Sequence, residues 1–298
     1  MIENKTFGYR VRVAIIYILV IGLGFSCFYP LWNMVCISLS NSVAISQNKV
    51  SVFPVNLTFV NYTKIVDDAR FWRSFSISVA RVVCALVMSM PLQLMMAYAF
   101  TKTKKEYRGR NAFMGIMLVA MLFSGGMIPV YLWYKKLGLL NNFWVFVLPG
   151  LIGCGNVIMM MNFMKGLPYS IEEAAICDGA NPWQILWRIV VPCSKPVIAT
   201  ISLFTIVGHW NDFMSGVLYI NESKLQPLMT YINSLNIDMK QLAMSGDLES
   251  MKNIAESGMS ATGLNSAKIV TAMLPLLMIY PFLQRYLIHG LVLGSVKE

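Results

Sequence analysis

The sequence predicts an all-α integral membrane protein that crosses the bilayer six times. Of its 298 residues, 57% are hydrophobic and 13% are charged, and the mean hydropathy is +0.60. A soluble domain carries about 25% charged residues, whereas each helical crossing needs roughly 20 apolar residues. The membrane domain is expected to cover 13–289. Within it, six apolar runs are long enough to be spans, at about 13–37, 74–100, 112–133, 142–164, 197–219 and 268–288.

The short link at 102–110 determines the predicted orientation. It carries five cationic residues, Lys102, Lys104, Lys105, Arg108 and Arg110. Short loops rich in Lys and Arg remain in the cytoplasm. With this link inside, the N-terminal residues 1–12, the loop at 165–196 and the C-terminal residues 290–298 also face the cytoplasm. The long polar loop at 220–267 then lies on the outer side.

Charge and motifs exclude several classes of function. The net charge of +10 comes from Lys and Arg clustered between apolar runs, without the basic face and interleaved aromatic residues of a nucleic-acid-binding protein. The chain has no G-x-x-x-x-G-K-[ST] loop for ATP, no H-E-x-x-H for zinc and no G-x-S-x-G nucleophile elbow. We therefore expect no catalytic residues, no metal site and no cofactor bound by this chain.

Two polar features inside the apolar runs are candidate parts of a solute path. Arg81 lies about two turns inside the second span, where an unpaired charge costs a few kcal/mol or more. It either lines an aqueous path or snorkels to the outer interface. The fifth span contains His209, Trp210, Asn211 and Asp212, and an indole beside polar groups suits a sugar. The alternative is an aromatic residue at the outer interface followed by polar residues.

The stretch from Ser170 to Pro196 is polar and helix-forming between apolar runs. Glu172 and Glu173 open a helical pattern, and Gly179 and Pro182 break it. A second amphipathic run follows and stops at prolines. The stretch therefore predicts a helix, a sharp turn and a short second helix that receives force from another protein.

The spacing within this stretch resembles a known signature. Glu173-Ala174-Ala175, Gly179, Ile189 and Pro192 match the E-A-A-x3-G-x9-I-x-L-P pattern of ABC importer permeases, with Val in place of the usual Leu. Asp178-Gly179-Ala180 looks like the sugar-permease version of the motif. Segments 124–150 and 203–213 are similar to the oligosaccharide and polysaccharide branch that includes the maltose permease.

The resemblance implies a type I ABC importer permease fold, in a multi-pass subunit of a bacterial cytoplasmic membrane. Its partners would be a second homologous permease, an ATPase dimer that binds ATP and Mg, and an extracytoplasmic solute-binding protein. A C-terminal tail containing Gly290, Gly294 and Lys297 would reach the ATPases, and the 220–267 loop would enter the binding protein. The residues that would couple to the ATPase are Glu172, Glu173, Ala174, Ala175, Asp178, Gly179, Ala180, Ile189 and Pro192.

The predicted function is that of the membrane-spanning subunit of an ATP-driven importer for an oligosaccharide. Two other classes remain open. A secondary transporter would place ionisable pairs at mid-membrane, and Arg81 is the candidate for such a group. A transporter-like sensor subunit would signal the presence of the solute instead of feeding the cell.

Overall fold

The computed structural model describes residues 7–235 and 260–295. Every regular element in these residues is a helix, and none of them forms a β-strand, which confirms the predicted helical class. Lys297, the central part of the 220–267 loop and the first six residues lie outside the described residues.

The α-helices differ widely in length. In chain order they are α1 (Phe7–Ser38), α2 (Ser42–Ser46), α3 (Val60–Asp67), α4 (Ala69–Thr101), α5 (Arg110–Leu122), α6 (Met127–Lys136), α7 (Cys154–Lys165), α8 (Tyr169–Cys177), α9 (Pro182–Ile185), α10 (Val191–Cys193), α11 (Lys195–Asn211), α12 (Met214–Tyr219) and α13 (Ala261–Ser295). Residues 228–235 are also helical. Short 3₁₀ turns lie at Phe143–Phe146, Leu148–Gly150 and Ser223–Leu225, and Leu186–Val190 forms a π-helical turn.

The chain divides into two compact units, and the first comprises residues within 1–69 and 234–273. In this unit the segment after α1 returns along the end of the helix, where the Trp32 indole donates to the carbonyl of Val52 over 2.8 Å. An ion pair of 2.7 Å joins the Nζ of Lys268 in α13 to Asp68, and the Lys268 side chain is almost fully buried. Burying this charge is tolerated because it is paired.

Helix length and hydropathy mark three uninterrupted candidate spans, Val11–Ser38, Ala69–Thr101 and Thr262–Pro281. Three further candidates are helix pairs with a bend between their members. The bends are 117° between Arg110–Leu122 and Met127–Lys136, 42° between Phe143–Gly150 and Cys154–Lys165, and 80° between Pro182–Cys193 and Lys195–Asn211. Among the described residues, length and composition therefore allow three crossings, or up to six if each bent pair is one span.

The apolar run at 112–133 is not one straight helix. It breaks between α5 and α6, where Gly126 adopts a φ of +80° that L side chains rarely reach. The backbone groups that such a break frees are tolerated at membrane depth only against protein or a water-filled cavity. Hydropathy could not reveal this break, because Phe123 and Met127 on either side are as apolar as the rest of the run.

The second unit, within 70–233 and 274–298, contains the main core. Ala97 and Phe100 of α4 pack there with Met160 of α7, and all three are at most 2% exposed. The same core contains residues of α9, the π-helical turn and α11. The predicted cytoplasmic segment after α8 is thus built into the core of the helical unit.

We predict that replacing Gly216 with alanine destabilises this unit. A Cβ at position 216 would lie 2.0 Å from the Oγ1 of Thr230 and 2.8 Å from its Cβ. Thr230 is held in place because its hydroxyl donates to the carbonyl of Phe213 over 3.0 Å. Overpacking of this kind costs about 1–3 kcal/mol, so thermal unfolding in detergent should show a lower Tm for Gly216→Ala.

Gly155→Ala is the matched control for this substitution. A Cβ at position 155 would meet nothing within 4 Å, and alanine is favoured over glycine in a helix. The control should therefore melt at or above the temperature of the parent protein. An equal Tm for Gly216→Ala and the parent would contradict the predicted clash.

Candidate functional site

The stretch from Ser170 to Pro196 has the helix, turn and second helix that its sequence predicts. Helix α8 ends at Cys177, and Gly179 then adopts a φ of +77°, in the left-handed region. Asn181 starts the next helix with a capping box, in which its side chain accepts from the backbone N–H of Gln184 and the Gln184 side chain accepts from the backbone N–H of Asn181. The turn is therefore fixed by local chemistry on both sides.

Helix α8 has one packed face and one free face. Ala175 is 7% exposed and belongs to the main core. Glu173, Ala174 and Asp178 are exposed, as is Gly179 in the turn that follows. A carboxylate, a small side chain and a tight turn are therefore available on the free face for a partner protein.

The other members of the motif differ in how exposed they are. Ile189 is half-buried against the main core, next to the buried Val190. Ala180 is also only partly exposed, whereas Pro192 is exposed just before the bend that leads into α11. Ile189 and Ala180 thus attach the segment to its own unit, whereas Pro192 remains accessible.

Glu172 points away from the free face of α8. Its carboxylate accepts a hydrogen bond of 2.8 Å from the hydroxyl of Tyr98 and forms an ion pair with Lys102 at the end of α4. The Nζ of Lys102 also lies 4.4 Å from the centre of the Tyr98 ring. These three side chains line a cavity of about 240 Å³ between α4 and α8.

The neighbouring link at 102–110 is ordered by hydrogen bonds. The Glu106 carboxylate accepts from the backbone N–H and the hydroxyl of Thr103, both at 2.7 Å, and these bonds lower the pKa of Glu106. Burial lowers the pKa of Lys102, and the charge of Glu106 opposes that shift. Sequence reasoning assigned Lys102 to the cytoplasmic loop but missed its contact with Glu172.

Arg81 lies buried inside the helical unit, with only 2% of its surface exposed. Its guanidinium forms an ion pair with the Asp212 carboxylate and donates to the Asp212 carbonyl over 3.0 Å. Its Nε donates to the Nδ1 of His209 over 3.4 Å, and the cation lies 4.7 Å from the centre of the Phe146 ring. Each of the three guanidinium nitrogens of Arg81 therefore has a partner within the helical unit.

Asp212 lies at the break between α11 and α12, where it contacts both the buried Arg81 and the start of α12. Its carboxylate binds Arg81 and also accepts from the backbone N–H of Ser215 over 3.1 Å and from the Ser215 hydroxyl over 2.6 Å. These bonds hold the first turn of α12. The break thus provides a fixed carboxylate for a buried cation.

A cavity of about 290 Å³ lies beside this ion pair. Its lining residues are Arg81, Gln93, Gly150, Asn156, Phe204, Thr205, Gly208, His209 and Asp212. Sequence reasoning missed Gln93 and Asn156, although an isolated polar residue within an apolar run was a usable signal for both. Gln93 is 2% exposed and donates to the carbonyl of Leu151 over 3.0 Å.

Three of the five predicted path residues border this cavity and two do not. Arg81, His209 and Asp212 lie on its wall. Trp210 is instead buried, with its ring edge-to-face against Phe75 at 5.7 Å, and Asn211 is exposed elsewhere. Trp210 is therefore not part of the wall of this cavity, because its ring packs against Phe75.

The described residues contain no group of three His, Cys, Asp or Glu side chains that could hold a metal ion. Gly290 and Gly294 of the predicted tail fall within α13, which continues to Ser295.

Comparison with known proteins decides the family. Residues 69–292 match the model of the binding-protein-dependent transport system inner membrane component. The chain belongs to this family. The matched region contains α8, the turn at Gly179 and every residue that lines the two cavities.

Individual relatives and a solved structure agree with this assignment. The chain is similar to protein LplC of Bacillus subtilis, with 37% identity over 93% of this chain and 91% of LplC. It is 35% identical to the polygalacturonan/rhamnogalacturonan transport system permease protein YtcP of Bacillus subtilis, over 91% of this chain and 93% of YtcP. A bacterial ABC transporter that imports the acidic polysaccharide alginate has a chain with a TM-score of 0.87 and 28% identity, covering 95% of this chain and 99% of that chain. The resemblance to carbohydrate-uptake ABC permeases and the type I permease fold are thus confirmed.

We predict that removing one partner of the Arg81–Asp212 pair destabilises the protein more than removing both charges. Arg81→Leu leaves the Asp212 carboxylate without its cation, and breaking a buried pair in this way costs about 3–5 kcal/mol. Replacing both residues, Arg81→Leu with Asp212→Asn, removes the uncompensated charge and should recover part of that loss. Tm in detergent and the yield of monodisperse protein measure both effects.

Arg73→Leu is the control for losing an arginine from the same helix. Arg73 is exposed, so its replacement should change Tm little. A double variant as unstable as Arg81→Leu alone, or an Arg81→Leu variant as stable as Arg73→Leu, would contradict a stabilising role for the pair.

Proposed function

We propose that this chain is the membrane-spanning permease subunit of an ATP-driven importer that moves an oligosaccharide delivered by an extracytoplasmic binding protein. The observation that carries the proposal is the free face of α8 in a member of the binding-protein-dependent family. Glu173, Ala174 and the turn at Gly179 are presented together on a segment anchored in the core. This chain is a transport component, and ATP hydrolysis takes place in a separate subunit.

An oligosaccharide cargo is supported by the relatives. Two of them are permeases for arabinooligosaccharides and for polygalacturonan or rhamnogalacturonan, and a solved neighbour imports alginate. The cavity beside Arg81 offers amide, hydroxyl and imidazole groups for sugar hydroxyls, contributed by Gln93, Asn156, Thr205 and His209. Because Arg81 is already paired with Asp212, these groups and not the guanidinium are the proposed solute contacts.

The proposed topology has six spans, with both termini and the α8 segment in the cytoplasm. The cationic link at 102–110 supports this orientation. It lies beside α8, since Lys102 and Glu172 are paired, so the two segments share one side of the membrane. The subunit would then be a multi-pass protein of a bacterial cytoplasmic membrane.

The proposed partners follow from the proposed role as an importer subunit. A second homologous permease completes the solute path, and an ATPase dimer that holds ATP and Mg binds α8. The 290–298 tail reaches the ATPases, and the 220–267 loop contacts the binding protein. Shifting the ratio of outward-facing to inward-facing bundles from 1:99 to 99:1 needs about 5.5 kcal/mol of differential stabilisation. Nucleotide and the loaded binding protein supply this free energy together.

Family membership favours this importer over a secondary transporter. The ion pair of Arg81 with Asp212 has the composition of a coupling-ion site, yet its charges are already matched and hydrogen-bonded. The sensor alternative differs in outcome, because an importer supports growth on its solute as sole carbon source and a sensor does not.

We predict that changing the free face of α8 abolishes transport. Glu173→Lys reverses the exposed charge, and Gly179→Asp places a Cβ on a residue with a φ of +77°. The double variant should reach the membrane at parental levels but lose ATP-driven uptake of labelled galacturonide and arabinan oligomers by at least tenfold. Uptake into vesicles that contain the complete complex and loaded binding protein measures this.

Asp67→Lys is the matched charge reversal outside the α8 segment. Asp67 is exposed at the end of α3 and distant in sequence from the motif, so this variant should transport normally. Parental uptake by the Glu173→Lys and Gly179→Asp double variant would rule out the coupling role.

A further inference from the structure

We infer that Glu172 is not an ATPase contact but an internal link that passes movement of α8 to α4 through Lys102 and Tyr98. This inference rests on the proposed function, because it assigns the route by which ATPase closure reaches the solute path. It assigns different roles to the two adjacent acidic residues: Glu173 faces the partner, and Glu172 faces the permease itself.

The contacts of Glu172 carry the first step. One carboxylate oxygen, Oε1, accepts from the Tyr98 hydroxyl and pairs with the Lys102 ammonium. The side chains of Glu172 and Lys102 are only 17% and 19% exposed. The Glu172 carboxylate therefore already has a cation and a hydrogen-bond donor from its own chain.

The geometry of α8 explains why neighbouring acids have different roles. Successive residues of a helix point about 100° apart, so Glu172 and Glu173 cannot lie on the same face. Ala175, one turn after Glu172, is buried against the main core, while Glu173 and Ala174 are exposed. Glu172 thus belongs to the packed side of α8.

The second step is the position of α4. Lys102 directly follows the last residue of α4, and Tyr98 lies one turn earlier. Phe100 and Ala97, in the same turns, are fully buried in the main core. A displacement of α8 is therefore transmitted to a helix end that is held by an ion pair, a hydrogen bond and close packing.

The third step connects α4 to the solute cavity. Arg81 and Thr101 are 20 residues apart in α4, which corresponds to about 30 Å along a helix. Arg81 binds Asp212 at the break between α11 and α12. The same helix therefore contacts α8 near one end and contributes Gln93 and Arg81 to the cavity wall, with Arg81 about 30 Å from that end.

Charge exchange tests this link. The single variants Glu172→Lys and Lys102→Glu place like charges together, and the double variant restores an opposite-charge pair. In the complete complex, both single variants should retain bound ATPase subunits and ATP hydrolysis, yet transport at least tenfold fewer sugar molecules per ATP hydrolysed. The double variant should regain at least half of the parental ratio.

Milder variants guard against misfolding. Tyr98→Phe removes only the hydroxyl donor, and Lys102→Arg retains the charge, so both should fold and lower the ratio less than the charge reversals. Lys104→Glu makes the same change of charge at an exposed position two residues away and should leave the ratio unchanged. Loss of transport and hydrolysis in equal proportion would indicate a merely structural role and would overturn the inference.

The outcomes separate this inference from the proposed function. If the parental complex transports and Glu173→Lys does not, parental ratios in both charge-reversed single variants overturn the internal link alone. Loss of the bound ATPase in Glu172→Gln would also overturn it, because Glu172 would then be a direct contact. Absence of ATP-driven uptake by the parental complex overturns both proposals.

Discussion

The buried ion pair between Arg81 and Asp212 is the constraint on which the helical unit depends. A cation at membrane depth must be matched inside the protein, and Asp212 provides both its carboxylate and its carbonyl oxygen. Because Asp212 also holds the first turn of α12 through Ser215, the pair fixes α4 against the point where α11 ends. The wall of the cavity beside the pair is therefore shared by α4, through Arg81, and by the end of α11, through Asp212.

The α8 segment answers a different physical requirement. In the proposed function, it presents a surface to another protein and is also firmly attached to its own unit. Ile185 and Leu186 are buried in the main core and Ala175 packs with them, while Glu173 remains free. In the proposed mechanism, force applied at the free face would be carried by the core and by the contact between Glu172 and Lys102.

Sequence reasoning predicted the local structure of this segment well, because capping and turn residues act at short range. The turn at Gly179 and the helices on both sides follow from residues within a few positions. It could not separate Glu172 from Glu173, since both fit a helix start and only the packing of α8 on α4 distinguishes them. Spacing alone therefore could not show that Glu172 contacts Tyr98 and Lys102.

The intramembrane site was predictable only in part. An isolated charge in an apolar run indicated that Arg81 needs a partner, and the polar run after Gly208 contained that partner. The side of α11 that each residue faces depends on tertiary packing, so the position of Trp210 against Phe75 could not be derived. Hydropathy also could not predict the breaks at 123–126 and after α11, because apolar composition does not specify the direction of a helix.

The most direct test of the account is whether α8 and the adjoining end of α4 move as one body. Cys177 is exposed at the end of α8, and Lys104→Cys provides a second labelling site beside the end of α4. With the other cysteines replaced, electron paramagnetic resonance of spin labels at these two sites measures the distance between the two elements. We expect the same distance in the nucleotide-free and ATP-bound complex, and a nucleotide-dependent distance once Glu172→Gln removes the ion pair with Lys102. A distance that changes with ATP while Glu172 is intact would contradict it.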